Sequence, residues 1–190
     1  MCLAGIEKGN YCPYNDSLGS HIARTSYGGF ARGATLANIY EVKSYDPSQS
    51  VAYLMGRVRV EMLAALDREL SADPQLSELG VTSAQFVVMV RLVGKESRKS
   101  ASDLCKELSY DAGAMTRMID RLEKKGLVRR IRCLQDRRLI FLEATELGRT
   151  VYPRMLAMSV AVQNRFLRGL DKAQVQQLTD VLNRMLQNVG

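Results

Sequence analysis

SASDLCKELSYDAGAMTRMIDRLEKKGLVRR, residues 100–130, is the stretch on which the reading of this chain turns. Ser100 opens a short segment whose apolar residues Ala101, Leu104, Cys105 and Leu108 recur at helical steps of three and four. Asp111 is a fitting N-cap for a second periodic segment, which runs to Lys125 and stops at Gly126, a C-terminal signal. Only Ser109 and Tyr110 lie between the two, the tight connection that a helix-turn-helix requires. In the second segment Met115, Ile119 and Leu122 form an inward face. Arg117, Arg121 and Lys124, at i, i+4 and i+7, form a separate cationic face. The first turn, Ala112-Gly113-Ala114, is small, so the helix N-terminus can approach a duplex closely, where its N–H groups and dipole favour phosphate. The plain alternative is a solvated charged helix, with Asp120 and Glu123 as local partners of these cations.

Working outward, two runs read as strands, Leu127 to Cys133 and Leu139 to Ala144, joined by the cationic tip of LQDRRLIFLEAT, residues 134–145. Upstream, Val51, Met55, Val58, Met62 and Ala65 predict an amphipathic helix ending near Leu70. Thr82 is a fair cap for another helix, with Phe86, Met89, Val90 and Val93 facing inward. Downstream, Thr145 caps a long helix carrying Leu147, Val151, Met155, Met158, Val162 and Phe166, bent or broken at Pro153. Asp171-x-x-Gln174 opens the last helix, with Val175, Leu178, Leu182, Met185 and Val189 on one stripe. Residues 34–44 predict a short helix before the break at Asp46-Pro47-Ser48. Three short helices followed by a two-stranded ribbon predict a winged helix-turn-helix. The expected fold is therefore mainly α with a small β-hairpin, a winged helix-turn-helix DNA-binding domain with long helices left to pair with each other or with another chain. Its expected divisions are a flexible arm at 1–34, N-terminal helices at 35–72, the winged domain at 80–145 and C-terminal helices at 146–190.

Composition supports an ordered chain. Of 190 residues 46% are apolar, enough for a core. The formal charge is +7, and residues 98–138 hold twelve Lys and Arg against six Asp and Glu, a net of +6. Cationic charge concentrated on a helix and a hairpin points to phosphate. No apolar stretch reaches the roughly 18 to 20 residues of a membrane helix, and no secretion signal is evident, so a cytoplasmic protein is expected. Four cysteines without a CxxC pair and a single histidine, His21, give no basis for a metal site. No nucleophile-base pairing, phosphate loop or catalytic carboxylate pair is present, so neither catalysis nor a cofactor is expected.

The stretch MTRMIDRLEKKGLVRR (115–130), the DRR of the ribbon tip (136–138) and the following FLEATELGR (141–149) resemble the multiple-antibiotic-resistance-regulator (MarR) family of winged-helix repressors. The spacing of DRR from TRxxDRLEKKGLV carries the specificity. The resemblance spans residues of about 82 to 155, with the flanking helices matching by pattern only. It implies that the ribbon is a wing entering a minor groove, with Asp136 orienting Arg138 and Arg137 reaching phosphate. It implies that the capped helix enters a major groove, with Thr116, Arg117, Arg121 and Lys124 as contacts, and with Ser100 and Ser102 as phosphate ligands or simply caps. It also implies a two-fold homodimer on a pseudo-palindromic DNA operator, with the helices of 35–72 and 146–190 as its helical dimerisation region.

Members of the family release DNA when a small aromatic or phenolic carboxylate binds between the dimerisation helices and the winged domain. Tyr53, Arg57, Arg91 and Tyr110 are candidates for that pocket, each also readable as an ordinary packing or surface residue. A repressor sensing peroxide through Cys12, flanked by Tyr11 and Tyr14, is the alternative of the same fold. Nothing near Cys12 promises the lowered thiol pKa this needs. A non-specific architectural DNA binder is the third reading.

Overall fold

The computed structural model describes residues 38–93, 98–133 and 139–188. The arm at 1–34, and with it Cys12 and His21, lies outside them, as do Asp136, Arg137 and Arg138 of the ribbon tip. Asn38 to Ser44 form bends and turns rather than the expected helix, and Asp46 caps a single 3-10 turn at Pro47–Gln49. Helix α1 (Val51–Ala72) then starts on Ser50, whose hydroxyl accepts from the Tyr53 amide.

Asp73 ends α1 and caps a short helix, α2 (Pro74–Glu78), that periodicity did not reveal. Pro74 explains both events: it cannot continue α1 but suits the first position of a new helix. Helix α3 (Ser83–Val93) begins at Thr82, whose hydroxyl accepts from the Gln85 amide while the Gln85 side chain accepts from the Thr82 amide. Its inward face is Phe86, Val88, Met89 and Leu92; Val90, expected inside, is exposed. The rest of the winged domain is β1 (Lys99–Ser100), α4 (Ala101–Leu108), α5 (Ala112–Lys124), β2 (Val128–Arg132) and β3 (Ile140–Ala144). The expected two-stranded ribbon is part of a three-stranded antiparallel sheet, because Lys99 and Ser100 pair with Leu142 and Phe141.

Helix α6 (Glu146–Phe166) runs unbroken through Pro153, and α7 (Lys172–Gln187) follows a turn at Gly169. The core is formed by Leu66 and Leu70 of α1, Leu76, the inward face of α3, Leu104, Met115, Ile119, Leu122, Leu127, Leu142, Val151, Met155 and Val162. Phe86 and Tyr152 stack across α3 and α6 with centroids 6.1 Å apart. Two polar anchors hold this packing. Asp67 of α1 accepts from the Ser83 amide (2.6 Å) and hydroxyl (2.9 Å), and buried Asp73 is bound by Arg154 of α6.

The apolar stripes of the long helices are only half used. Val51, Met55 and Val58 of α1 are exposed, as are Leu156, Val160 and Phe166 of α6. Helix α7 buries none of its residues, and Leu178, Val181, Met185 and Leu186 face outward. No helix among the described residues is long and apolar enough to cross a membrane.

Candidate nucleic-acid interface

Helices α4 and α5 meet through Ser109, which takes a left-handed conformation (φ 53°), and Tyr110, packed against the core. Each helix is started by a dedicated cap. The Ser100 hydroxyl accepts from the Asp103 amide while the Asp103 carboxylate accepts from the Ser100 amide, a closed capping box. The Ser100 hydroxyl also donates to Asp103 at 2.7 Å, and this bond holds the Asp103 carboxyl below the usual carboxylate range. Of the two readings of Ser100, the structure supplies the cap; Ser102 is exposed one position into α4. Asp111 accepts from the Ala114 amide at 2.7 Å and starts α5.

Met115, Ile119 and Leu122 are fully buried, which turns the opposite side of α5 to solvent. Thr116, Arg117, Arg121 and Lys124 are all exposed there. The Thr116 hydroxyl donates to the Ala112 carbonyl at 2.9 Å, leaving its lone pairs outward. Arg117, Arg121 and Lys124 take part in none of the ion pairs found among the described residues. Asp120 and Glu123, the expected local partners, are instead held by Arg130 of β2. Arg130 Nη2 donates to Asp120 at 2.5 Å and Nη1 to Glu123. These two contacts, the Asp120 hydrogen bond foremost, raise the pKa of Arg130.

Other arginines of the basic stretch are also engaged internally. Glu143 on β3 is buried, with its side chain 9% exposed, and is bound by Arg129 across the β2–β3 ladder and by Arg98 at 3.3 Å. Lys125 donates to Gly80 and, at 3.1 Å, to Gln85, and burial followed by the nearby Arg121 lowers its pKa. Counting charges along the sequence could not separate these structural cations from the outward ones. The missing signal was the partner carboxylate on another element.

Of the four residues proposed for a ligand pocket, two lie together. Tyr53 and Arg57 are one turn apart on α1, with the guanidinium 6.0 Å from the ring centroid, on a surface groove of about 350 Å³ that Ala52, Gly56, Val60 and Glu61 complete. Arg91 lies 3.7 Å from Glu107 of α4, and Tyr110 follows α4 in the turn. No hydrogen bond, ion pair or ring contact among the described residues joins Arg91 to Tyr110, or either of them to Tyr53 and Arg57. Cys105 is half-buried on the core face of α4 and Cys133 is buried beside the ribbon. No cluster of metal-ligating side chains occurs among the described residues.

Residues 81–140, which hold the whole helix-turn-helix and most of the ribbon, match the MarR family. The winged helix of this chain is thus similar to that of the MarR family. The transcriptional repressor MdtR of Bacillus subtilis (strain 168) is 29% identical to this chain over 142 residues, covering 75% of the chain and 84% of MdtR. Among solved structures, a mutant of E. coli MarR complexed with operator DNA is 27% identical with a TM-score of 0.62, covering 71% of this chain and 92% of that one. The wild-type apo form of E. coli MarR is likewise 27% identical, with a TM-score of 0.58 over 72% of this chain and 96% of its own. These relatives are transcriptional regulators, not enzymes.

Proposed function

We propose that the protein is a cytoplasmic, homodimeric repressor that binds a pseudo-palindromic DNA operator and releases it when a small aromatic or phenolic carboxylate binds. The observation that carries this reading is the outward face of α5. It presents Thr116, Arg117, Arg121 and Lys124 on a helix whose opposite face is locked into the core, beside an antiparallel ribbon. A rigid helix of this shape fits a major groove, and its exposed cations meet phosphates or base edges. The E. coli relative crystallised with operator DNA supports DNA as the partner. The wing tip at Asp136, Arg137 and Arg138 is assigned to the minor groove on the family's pattern.

The unburied apolar residues of α1, α6 and α7 support a second copy as the partner that covers them. Soluble monomers seldom leave such continuous apolar surface in water. Two copies related by a two-fold axis place two α5 helices on half-sites about one helical turn apart. For the effector, Arg57 with Tyr53 supplies a guanidinium beside an aromatic ring, a chemistry suited to an aromatic acid, and Arg91 and Tyr110 are further candidates.

Fluorescence anisotropy on a labelled duplex from the protein's own upstream region tests the reading. Tight binding with large preference over unrelated duplexes is expected, followed by release on titration of aromatic carboxylates. Equal affinity for all duplexes with steep salt dependence would instead identify an architectural binder. Release only by peroxide, reversed by reductant, would transfer the switch to Cys12.

A further inference from the structure

Asp120 lies on the same stripe of α5 as Arg117, Arg121 and Lys124, three residues after the first, one before the second and four before the third. Left unpaired, this carboxylate, with Glu123 one turn further, would face the approaching phosphates with like charge. The structure leaves neither unpaired. The fork of Arg130 reaches back from β2 and takes one carboxylate on each terminal nitrogen. All three side chains remain partly exposed, at 33% for Arg130, 55% for Asp120 and 38% for Glu123. An ion pair this open to water adds little to folding, so stability does not account for it.

We infer that Arg130 is a positioning residue for DNA recognition: it holds Asp120 and Glu123 and screens them from the phosphates, without itself contacting DNA. This rests on the reading of α5 as the helix that enters the groove. The geometry suits Arg and not Lys, because a planar guanidinium offers two donors in a fixed fork while an ammonium is a single point charge. It also accounts for the difference between Arg130 and Arg129. Both lie on β2 in adjacent positions, but alternation sends Arg129 to buried Glu143 on the neighbouring strand and Arg130 to α5.

The test compares the full-length wild type with Arg130→Gln, Arg130→Lys and the triple variant Asp120→Asn/Glu123→Gln/Arg130→Gln, using a labelled duplex from the upstream region. Arg130→Gln is expected to weaken binding roughly tenfold or more, while its melting temperature stays within about 4 °C of the wild type. The triple variant is expected to recover wild-type affinity, since its amides no longer oppose phosphate. A triple variant that remains as weak as Arg130→Gln would overturn the inference, showing that Arg130 meets DNA directly. An unweakened Arg130→Gln would overturn it as well. Should Arg130→Gln fail to fold, Arg130→Lys decides: affinity below the wild type supports the two-pronged clamp, and equal affinity sinks it. Failure of the wild type to prefer its own duplex would strike the proposed function itself, an outcome separate from any ranking of the variants.

Discussion

Gly148 sits in the first turn of α6 where that helix crosses the chain leaving α5. A Cβ built there would lie 2.2 Å from the Leu127 carbonyl oxygen and 3.0 Å from Met89 Cε. The carbonyl cannot retreat, because it accepts from the Thr145 amide at 3.0 Å. Gly148→Ala is therefore expected to destabilise the protein by about 1–3 kcal/mol, read as a fall in denaturation midpoint. Little change would show that α6 can shift. The outward residues of α5 behave oppositely. Arg117→Ala should leave thermal stability unchanged and weaken operator binding by about 1–3 kcal/mol, roughly ten- to a hundredfold. Binding equal to the wild type would remove Arg117 from the interface.

At the scale of elements, the caps and anchors set where helices begin and how they cross. Asp73 caps α2 through the Leu76 amide at 3.0 Å and is bound by Arg154 of α6, so one carboxylate fixes the α1–α2 corner against a distant helix. Desolvation alone would raise its pKa, but the Leu76 amide together with the Arg154 hydrogen bond and charge outweighs it, and the net shift is downward. A carboxylate whose folded pKa lies below its unfolded value of 3.8 contributes stability above that pH and loses it as pH falls through the folded value. Melting curves between about pH 5 and pH 2 should fall more steeply for the wild type than for Asp73→Asn. Parallel curves would assign the acid limb to other groups. Asp111→Ala, which removes the cap of α5, is expected to cost about 1 kcal/mol of stability, and operator affinity should fall with it as the first turn frays. An unchanged denaturation midpoint would show that Asp111 does not set the helix start.

For the whole molecule, the winged domain has a closed core while α7 and the first half of α1 leave theirs open. Leu178 and Met185 are 46% and 36% exposed on α7, in positions that only another surface can bury. Leu178→Asp combined with Met185→Asp should therefore shift sedimentation from dimer to monomer and weaken operator binding, since two half-sites would no longer be engaged together. A dimer that persists would exclude α7 from the interface. The proposed DNA face and the proposed dimer face are thus expected to be separable by mutation, with Arg117→Ala acting on affinity alone and the α7 pair on assembly first.

The sequence by itself determined most of the helices, their caps and the helix-turn-helix, because these depend on local periodicity and on side chains three or four residues apart. Ser100, Asp111, Thr145 and Asp171 with Gln174 all cap where the spacing predicts. Residue pattern also pointed to the outward cations of α5, since the buried face of one helix defines its opposite. Helix α2, five residues long, was too short to show a period, and β1, two residues long, exists only because Leu142 and Phe141 are there to pair with it. Only the tertiary structure decided which charges are free to act. Arg98, Arg129 and Arg130 are as cationic in the sequence as Arg117 and Arg121, yet each is bound to a carboxylate that folding brings from another element. Charge is a property of the residue; availability is a property of what packs beside it.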